Sequence, residues 1–498
     1  MSASFRMVRN SAATLAAQLL AQALRAVFVI LVARYLSEAD FGFYSFAQAI
    51  CLILTMLATM GMETIVVREI ASLPDDRATR QERGRTLLGS MLTYEAALSA
   101  LIQAVVFAIA YLYGYRGERL AGFMLLGAGL IFRQLADSLM GILRGHEHME
   151  YEVVFGLLEG LGLVGFIFLF QGLGLGFMGI FYAFGLTYVL QFLIGLGFVA
   201  RVFFVPSFSR VHRDLDLLSK SFPVGVARAT TSFSTNSGPM LLPLLRTELE
   251  AGIYGAAYQP LKGLLLFTRS LGIGMLPVFS QLYSTGDERT LESSAAGGLR
   301  LTTMLVLPMV VGLFMYPHVV LQILYGDKYA DGAIVLRVLS LVILMTFLEV
   351  ILNNLLVAMH RQRIVGIGRL VSTVLSLGLL LALTPTMGAL GPAISLLGGE
   401  LLVFGMYCAV LISHYRRFPL WKALARPLAA SLCMGGVLWV GRAQPLWLMV
   451  PVGLAVYLSA LILVRGVARS DLDTLRAGWR KVRQMASQRV TAARERRG

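Results

Sequence analysis

The sequence predicts an all-α integral membrane protein: about fourteen transmembrane helices, as two pseudo-symmetric six-helix lobes plus two extra C-terminal helices. Three observations predict it. Apolar runs of about 20 residues recur along the whole chain, the length at which a helix crosses ~30 Å of hydrocarbon. Of the 498 residues, 57% are hydrophobic and 14% charged, too few charges to cover a soluble protein of this size. A short turn motif occurs twice, 210 residues apart, after the first and the seventh apolar run. A β-barrel would instead show alternating segments of about 10 residues. Leu446–Val464 carries neither charge nor alternation, so its backbone groups must be paired within a helix.

The first lobe, 1–205, holds spans at 10–33, 43–67, 87–113, 120–143, 153–170 and 177–200. Gln18, Gln22 and Arg25 in the first span are wrong for a cleavable signal sequence. Gly174-x-Gly176-x-x-Gly179 between the fifth and sixth spans has no preceding strand and no following acid, so it reads as a tight turn and not a dinucleotide site. The second lobe, 206–415, holds spans at 221–245, 251–279, 301–320, 333–357, 364–383 and 389–412. Gly238-Pro239 and Pro243 predict a kink in the seventh span. Residues 416–466 hold the last two spans, 427–441 and 445–464. The tail, 467–498, places Leu472, Leu475, Trp479, Val482 and Met485 at helical spacing among nine basic residues counted from Arg469. It reads as a basic amphipathic segment on an anionic cytoplasmic leaflet, or as a topology signal alone.

Charge orients the spans. With the N-terminus in the cytoplasm, 30 of the 43 Lys and Arg residues fall on cytoplasmic segments and seven inside spans. Six fall on the other face: Arg34, Arg116, Arg119, Arg246, Lys328 and Arg442. This asymmetry places both termini on the cytoplasmic side of a multi-pass protein of the cytoplasmic (inner) membrane. It also accounts for the net charge of +15 without nucleic acid. The three cysteines, Cys51, Cys408 and Cys433, lie in separate apolar runs and suggest neither disulfide nor metal. His146, Glu147, His148 and Glu150 share a short loop in which the two histidines alternate and do not have the i, i+4 spacing of a helical metal site, so they read as a solvated loop. No connection exceeds roughly twenty residues, which leaves no room for a soluble catalytic domain, and no P-loop or nucleophile elbow is present.

The repeated turn runs Ser37-Glu38-Ala39-Asp40-Phe41-Gly42-Phe43-Tyr44 and Thr247-Glu248-Leu249-Glu250-Ala251-Gly252-Ile253-Tyr254. A second echo, 214 residues apart, pairs Leu143-Arg144-Gly145-His146 with Val357-Ala358-Met359-His360. Two echoes in matching places indicate homologous halves of six spans each, the same way up. Such halves suit alternating access around a shared cavity.

The repeated turn, the span count, Arg34-Tyr35-Leu36-Ser37…Asp40-Phe41-Gly42 and the segment from Leu324-Tyr325-Gly326-Asp327-Lys328-Tyr329-Ala330 to Val335-Leu336-Arg337-Val338-Leu339-Ser340 resemble the polysaccharide flippases of the multidrug/oligosaccharidyl-lipid/polysaccharide exporter superfamily. The resemblance covers about residues 5–465. It implies a non-enzymatic transporter that flips an undecaprenyl-pyrophosphate-linked oligosaccharide, with membrane lipids and other polysaccharide assembly proteins as partners.

Ionisable groups inside a membrane cost ~2.5–3.5 kcal/mol each on insertion scales and so face a cavity or a partner. Guanidinium matches phosphate with two donors. Arg25, one turn from Gln22, and Arg228 lie on equivalent helices and are the expected head-group clamp, supported by Lys262 and Arg269. Arg133 and Asp137, at i and i+4, form an expected structural pair. Asp137, Glu159, Glu349 and Glu400 are candidates for coupling to a proton or sodium ion, with Arg369 able to neutralise one of the glutamates. No other cofactor and no metal are expected. The competing readings are a multidrug/cation antiporter or a lipid II flippase of the same fold, and a membrane-embedded glycan polymerase or ligase. The antiporter would favour an acidic cavity. The enzyme would need a large outer loop.

Overall fold

The computed structural model describes residues 20–71, 77–145, 150–203, 205–207, 215–415, 420–442 and 444–464. Among them the chain is helical throughout, as its apolar runs require. Helix α1 covers 20–35. It is followed by α2 (Glu38–Thr59), α3 (Met62–Ala71), α4 (Arg77–Leu112), α5 (Gly117–Gly145), α6 (Glu150–Gly172), α7 (Gly176–Val202), α8 (Leu215–Leu245) and α9 (Glu248–Ser284). Then come α10 (Glu288–Met315), α11 (Pro317–Tyr325), a 3-10 turn (Asp327–Gly332), α12 (Ala333–Ala358), α13 (Gln362–Met387), α14 (Leu390–His414), α15 (Leu420–Val440) and α16 (Leu446–Leu463). Eleven stretches of the described residues are long and apolar enough to cross a membrane. Helices α1, α8 and α9 occupy the other three predicted spans. The tail at 467–498 and most of the His146–Glu150 loop lie outside the described residues.

Local chemistry sets the boundaries. The Ser37 hydroxyl accepts the Asp40 N–H at 3.1 Å and starts α2, while the Asp287 carboxylate accepts the Thr290 N–H at 3.1 Å and starts α10. The second predicted span is two helices. Met60 (φ 48°) and Gly61 (φ 71°) are both left-handed and separate α2 from α3. Such a conformation is costly for methionine and persists only under tight packing. Here α8 supplies the packing: a Cβ on Gly225 would stand 2.5 Å from the Met60 Cα.

The kink residues of the seventh span behave differently. Helix α8 continues through Pro223, Pro239 and Pro243. Pro239 lacks the N–H that would bond the Thr235 carbonyl, and the Tyr258 hydroxyl donates to that oxygen at 3.3 Å instead. The same repair recurs in α10. Pro308 frees the Met304 carbonyl, which accepts the Tyr457 hydroxyl at 2.8 Å.

The chain forms two compact units. The first comprises 1–263, 321–335 and 377–393, and the second 264–320, 336–376 and 394–498. In the first, α5 packs on α7, α2 on α8 and α6 on α7, around a core that includes Met62, Val66, Leu88, Met91 and Leu139. In the second, one core gathers Leu299, Ile351, Leu355, Val403 and Tyr407, and another joins α10 to α15 and α16 through Tyr316, Met434, Leu438 and Tyr457.

Candidate functional site

Each unit carries a charged network that joins matching apolar helices. In the first, α1 places Gln22 and Arg25 one turn apart, so the Gln22 side-chain oxygen accepts from Arg25 Nε at 3.1 Å and Nη2 at 2.6 Å. Arg25 Nη1 donates to Glu159 Oε2, on α6, at 2.7 Å. The other oxygen, Oε1, accepts the Tyr188 hydroxyl of α7 at 2.8 Å and lies 3.8 Å from Arg133 Nε of α5. The Arg133 guanidinium also stands 5.6 Å from the centre of the Tyr188 ring. Glu159 is 7% exposed, but Arg25 and Arg133 are 26% and 30% exposed. The carboxylate is covered while both cations remain accessible. Among the described residues, no hydrogen bond engages the terminal nitrogens of Arg133. That fork is oriented by an acid and a ring, with donors left for an incoming anion.

In the second unit the polarity is inverted. Arg369 on α13 sits between two glutamates: Nη2 is 2.5 Å from Glu349 Oε1 on α12, and Nη1 is 3.0 Å from Glu400 Oε1 on α14. Thr346 donates weakly to Glu400 Oε2 at 3.4 Å. Glu349 is 2% exposed, and its Oε2 is buried without a hydrogen-bond partner among the described residues. The two networks occupy equivalent helices. Glu159 and Arg369 are 210 residues apart and Tyr188 and Glu400 are 212 apart, within the spacing of the sequence echoes. Where the first half has two guanidiniums on one carboxylate, the second has two carboxyl groups on one guanidinium.

The remaining predicted residues are distributed more widely. Arg228 does not join Arg25. Its Nη1 is 3.5 Å from Glu63 and its Nη2 donates to Thr64 at 3.1 Å, at the start of α3. Arg25 and Arg228, expected together, are thus each paired with a separate carboxylate, and the arginine that shares Glu159 with Arg25 is Arg133. Arg133 takes its salt bridge from Glu159 and not from Asp137, which acts on it through charge. Lys262 on α9 lies 5.2 Å from the Tyr258 ring. Arg269 falls on α9, and its side chain is outside the described residues.

Two features were not expected from sequence. One is Tyr188 as the buried donor that orients Glu159; its place on the span next to Glu159 was the only available signal. The other is an apolar cavity of about 520 Å³ in the second unit, lined by Leu305, Met309 and Leu313 of α10, Leu438 of α15, and Leu446 and Val450 of α16. Its lining is scattered over four predicted spans and is apolar like most of their length, so nothing in the sequence distinguishes it.

Comparison with known proteins gives the following. The model of the family described as polysaccharide biosynthesis protein matches residues 7–283, and that described as lipid II flippase MurJ matches residues 249–456. A curated relative, the probable low-salt glycan biosynthesis flippase Agl15 of Haloferax volcanii, is 21% identical over 482 residues, covering 94% of this chain and 98% of its own. Among solved structures, the lipid II flippase MurJ in an inward closed conformation superposes with a TM-score of 0.70 at 13% identity, covering 93% of this chain and 99% of its own. An inward-facing multidrug resistance MATE family transporter of the MOP superfamily superposes with a TM-score of 0.60 at 17% identity, covering 80% and 96%. The helical arrangement is thus the transporter fold that these two proteins share.

Proposed function

Because this chain belongs to the polysaccharide biosynthesis protein family, we propose that it is a flippase that carries an undecaprenyl-pyrophosphate-linked oligosaccharide across the cytoplasmic membrane by alternating access, for polysaccharide export. It is a transporter, not an enzyme. The observation that carries this reading is the Arg25–Glu159–Arg133 network: two partly exposed guanidiniums on predicted spans, one of them with terminal donors that no hydrogen bond engages among the described residues. A pyrophosphate supplies acceptors for the Arg133 donors, with the Arg25 charge beside it. The apolar cavity beside α10, α15 and α16 suits a polyprenyl tail, which needs a dry, wide surface. The positive-inside charge distribution supports cytoplasmic termini.

The inverted network is the candidate site for coupling to a proton or sodium ion. Two acidic side chains face one guanidinium there, and Glu349 Oε2 is buried without a hydrogen-bond partner among the described residues, the place at which a small cation would find an acceptor. Lipid II is a second candidate cargo. The match of residues 249–456 to the lipid II flippase model favours it, and it presents the same pyrophosphate. Reconstitution with fluorescent lipid-linked oligosaccharide, with and without an imposed proton or sodium gradient, tests the reading. Transbilayer movement that depends on one gradient is expected. Movement of cationic drugs in place of the lipid-linked glycan would replace it with the antiporter reading.

A further inference from the structure

We infer that the two repeated turns meet as a clasp that closes one end of the first unit, on the face away from the basic connections, and that Arg119 is its removable pin. This rests on the transport reading above, since only a transporter needs the clasp to open.

The turn at 37–44 begins α2 and the turn at 247–254 begins α9. They pack directly on each other. A Cβ on Gly42 would collide with the Glu248 carbonyl oxygen, and a Cβ on Gly252 with the Glu38 carbonyl oxygen. Gly42 and Gly252, like Glu38 and Glu248, are the same positions in the two copies of the motif, so the contact is reciprocal. The glycines of the repeat are thereby explained: each makes room for the backbone of the other copy, as small residues do where helices cross closely in lipid. One turn further in, Gly255 lies against Ser45.

The pin is polar. Arg119, near the start of α5, donates Nη2 to Asp40 Oδ1 at 3.0 Å and Nη1 to Glu248 Oε2 at 2.8 Å, so one side chain holds an acid from each copy. The Tyr115 hydroxyl donates to Glu248 Oε1 at 2.8 Å. Burial, reinforced by that carboxylate, pushes the Tyr115 phenol up, so it stays a donor at physiological pH. The second half offers a different contact: Lys328, 209 residues after Arg119, donates to the Arg34 and Leu36 carbonyls at 3.0 and 3.3 Å, with no acid from either turn among the described residues. Glu250, at the position of Asp40, is taken by Arg246 at 2.9 Å within its own turn. The seam therefore combines a close backbone contact, one half-exposed double ion pair and the Lys328 ammonium on the carbonyls beside the first turn. Parting it strands no buried charge, because Arg119, Asp40 and Glu248 are each partly in water already.

The test uses the full chain with Cys51, Cys408 and Cys433 replaced by alanine. A Cβ on Gly255 would lie 3.5 Å from the Ser45 Cβ, within the range of a disulfide. Ser45→Cys with Gly255→Cys is expected to cross-link on oxidation, to lose transport, and to regain it on reduction. Oxidised protein that transports at the reduced rate, or a failure to cross-link, overturns the clasp. A second arm needs no cargo. Ser45→Cys alone, in sealed vesicles, is labelled with a membrane-impermeant maleimide from the face opposite the termini. Adding Arg119→Gln is expected to raise the labelling rate several-fold. Unchanged labelling overturns the pin even if glycan transport is confirmed, and raised labelling without glycan transport would leave the clasp standing while the cargo reading falls.

Discussion

Glu159 and Arg369 stand 210 residues apart, at matching points of the two halves, and each is the centre of its own charged network. One is a carboxylate flanked by guanidiniums; the other is a guanidinium flanked by carboxyl groups. The inversion divides the labour proposed above between an anion site and a cation site.

If Arg133 receives the head group, its donors are needed for transport and not for folding. Arg133→Gln is expected to lower flipping at least tenfold while shifting the unfolding midpoint in detergent by little. Glu159→Gln should do the reverse in part. It removes the buried carboxylate between two cations and should cost about 2 kcal/mol of stability, less than a fully dry pair because both arginines are partly exposed. Thermal unfolding with a transport assay on the same preparations separates the two effects.

Removing the cation of the second network leaves two carboxyl groups together. Arg369→Gln should destabilise by about 1–2 kcal/mol, and adding Glu349→Gln should recover most of that loss, since one of the two facing acids is then gone. The double variant should fold and bind cargo yet lose its response to an imposed ion gradient. A double-mutant cycle on the unfolding midpoint, followed by gradient-dependent flipping, measures both.

The break between α2 and α3 gives a backbone prediction. Met60 occupies a left-handed conformation that glycine adopts freely, so Met60→Gly should be neutral or stabilising by up to about 1 kcal/mol, apart from lost packing. Gly61→Ala and Gly225→Ala should each destabilise by about 1–2 kcal/mol, the first through φ and the second through collision with Met60. Unfolding midpoints of the three variants decide it.

The tyrosines that repair proline gaps should also be measurable. Tyr457→Phe leaves the Met304 carbonyl without its donor below Pro308 and is expected to cost about 1–2 kcal/mol. Met304 to Pro308 is a fixed gap, so a companion Pro308→Ala should reduce that cost by restoring the helical N–H. A Tyr457→Phe effect that stays the same in the Pro308→Ala background would show that the hydroxyl serves something else.

Much of this architecture was legible in the sequence because the governing signals are one-dimensional. Apolar run length marks Gly176–Val202 or Leu446–Leu463 as spans regardless of context. The repeat at Gly42 and Gly252 was visible as spelling, and its meaning emerged only when the two turns were found against each other. Glu349, Glu400 and Arg369 were recognisable as costly intramembrane charges, and they do converge. Arg25 and Arg228 were also recognisable, but which acid each meets depends on helix rotation, and rotation within a uniformly apolar run leaves no periodic trace. Span 2 read as continuous because Met60-Gly61 is apolar; its left-handed break is fixed by Gly225 on another helix. Gly238-Pro239 is legible as a gap in the helical hydrogen-bond ladder, but that Tyr258, from α9, donates to the freed Thr235 carbonyl is not.

The most direct measurement of the central claim is binding of polyprenyl pyrophosphate against neutral polyprenol to purified protein, wild type and Arg25→Gln/Arg133→Gln. The account predicts that wild type prefers the pyrophosphate by tenfold or more and that the double variant loses this preference while still binding the polyprenol. Equal preference for the charged lipid in both proteins would contradict it.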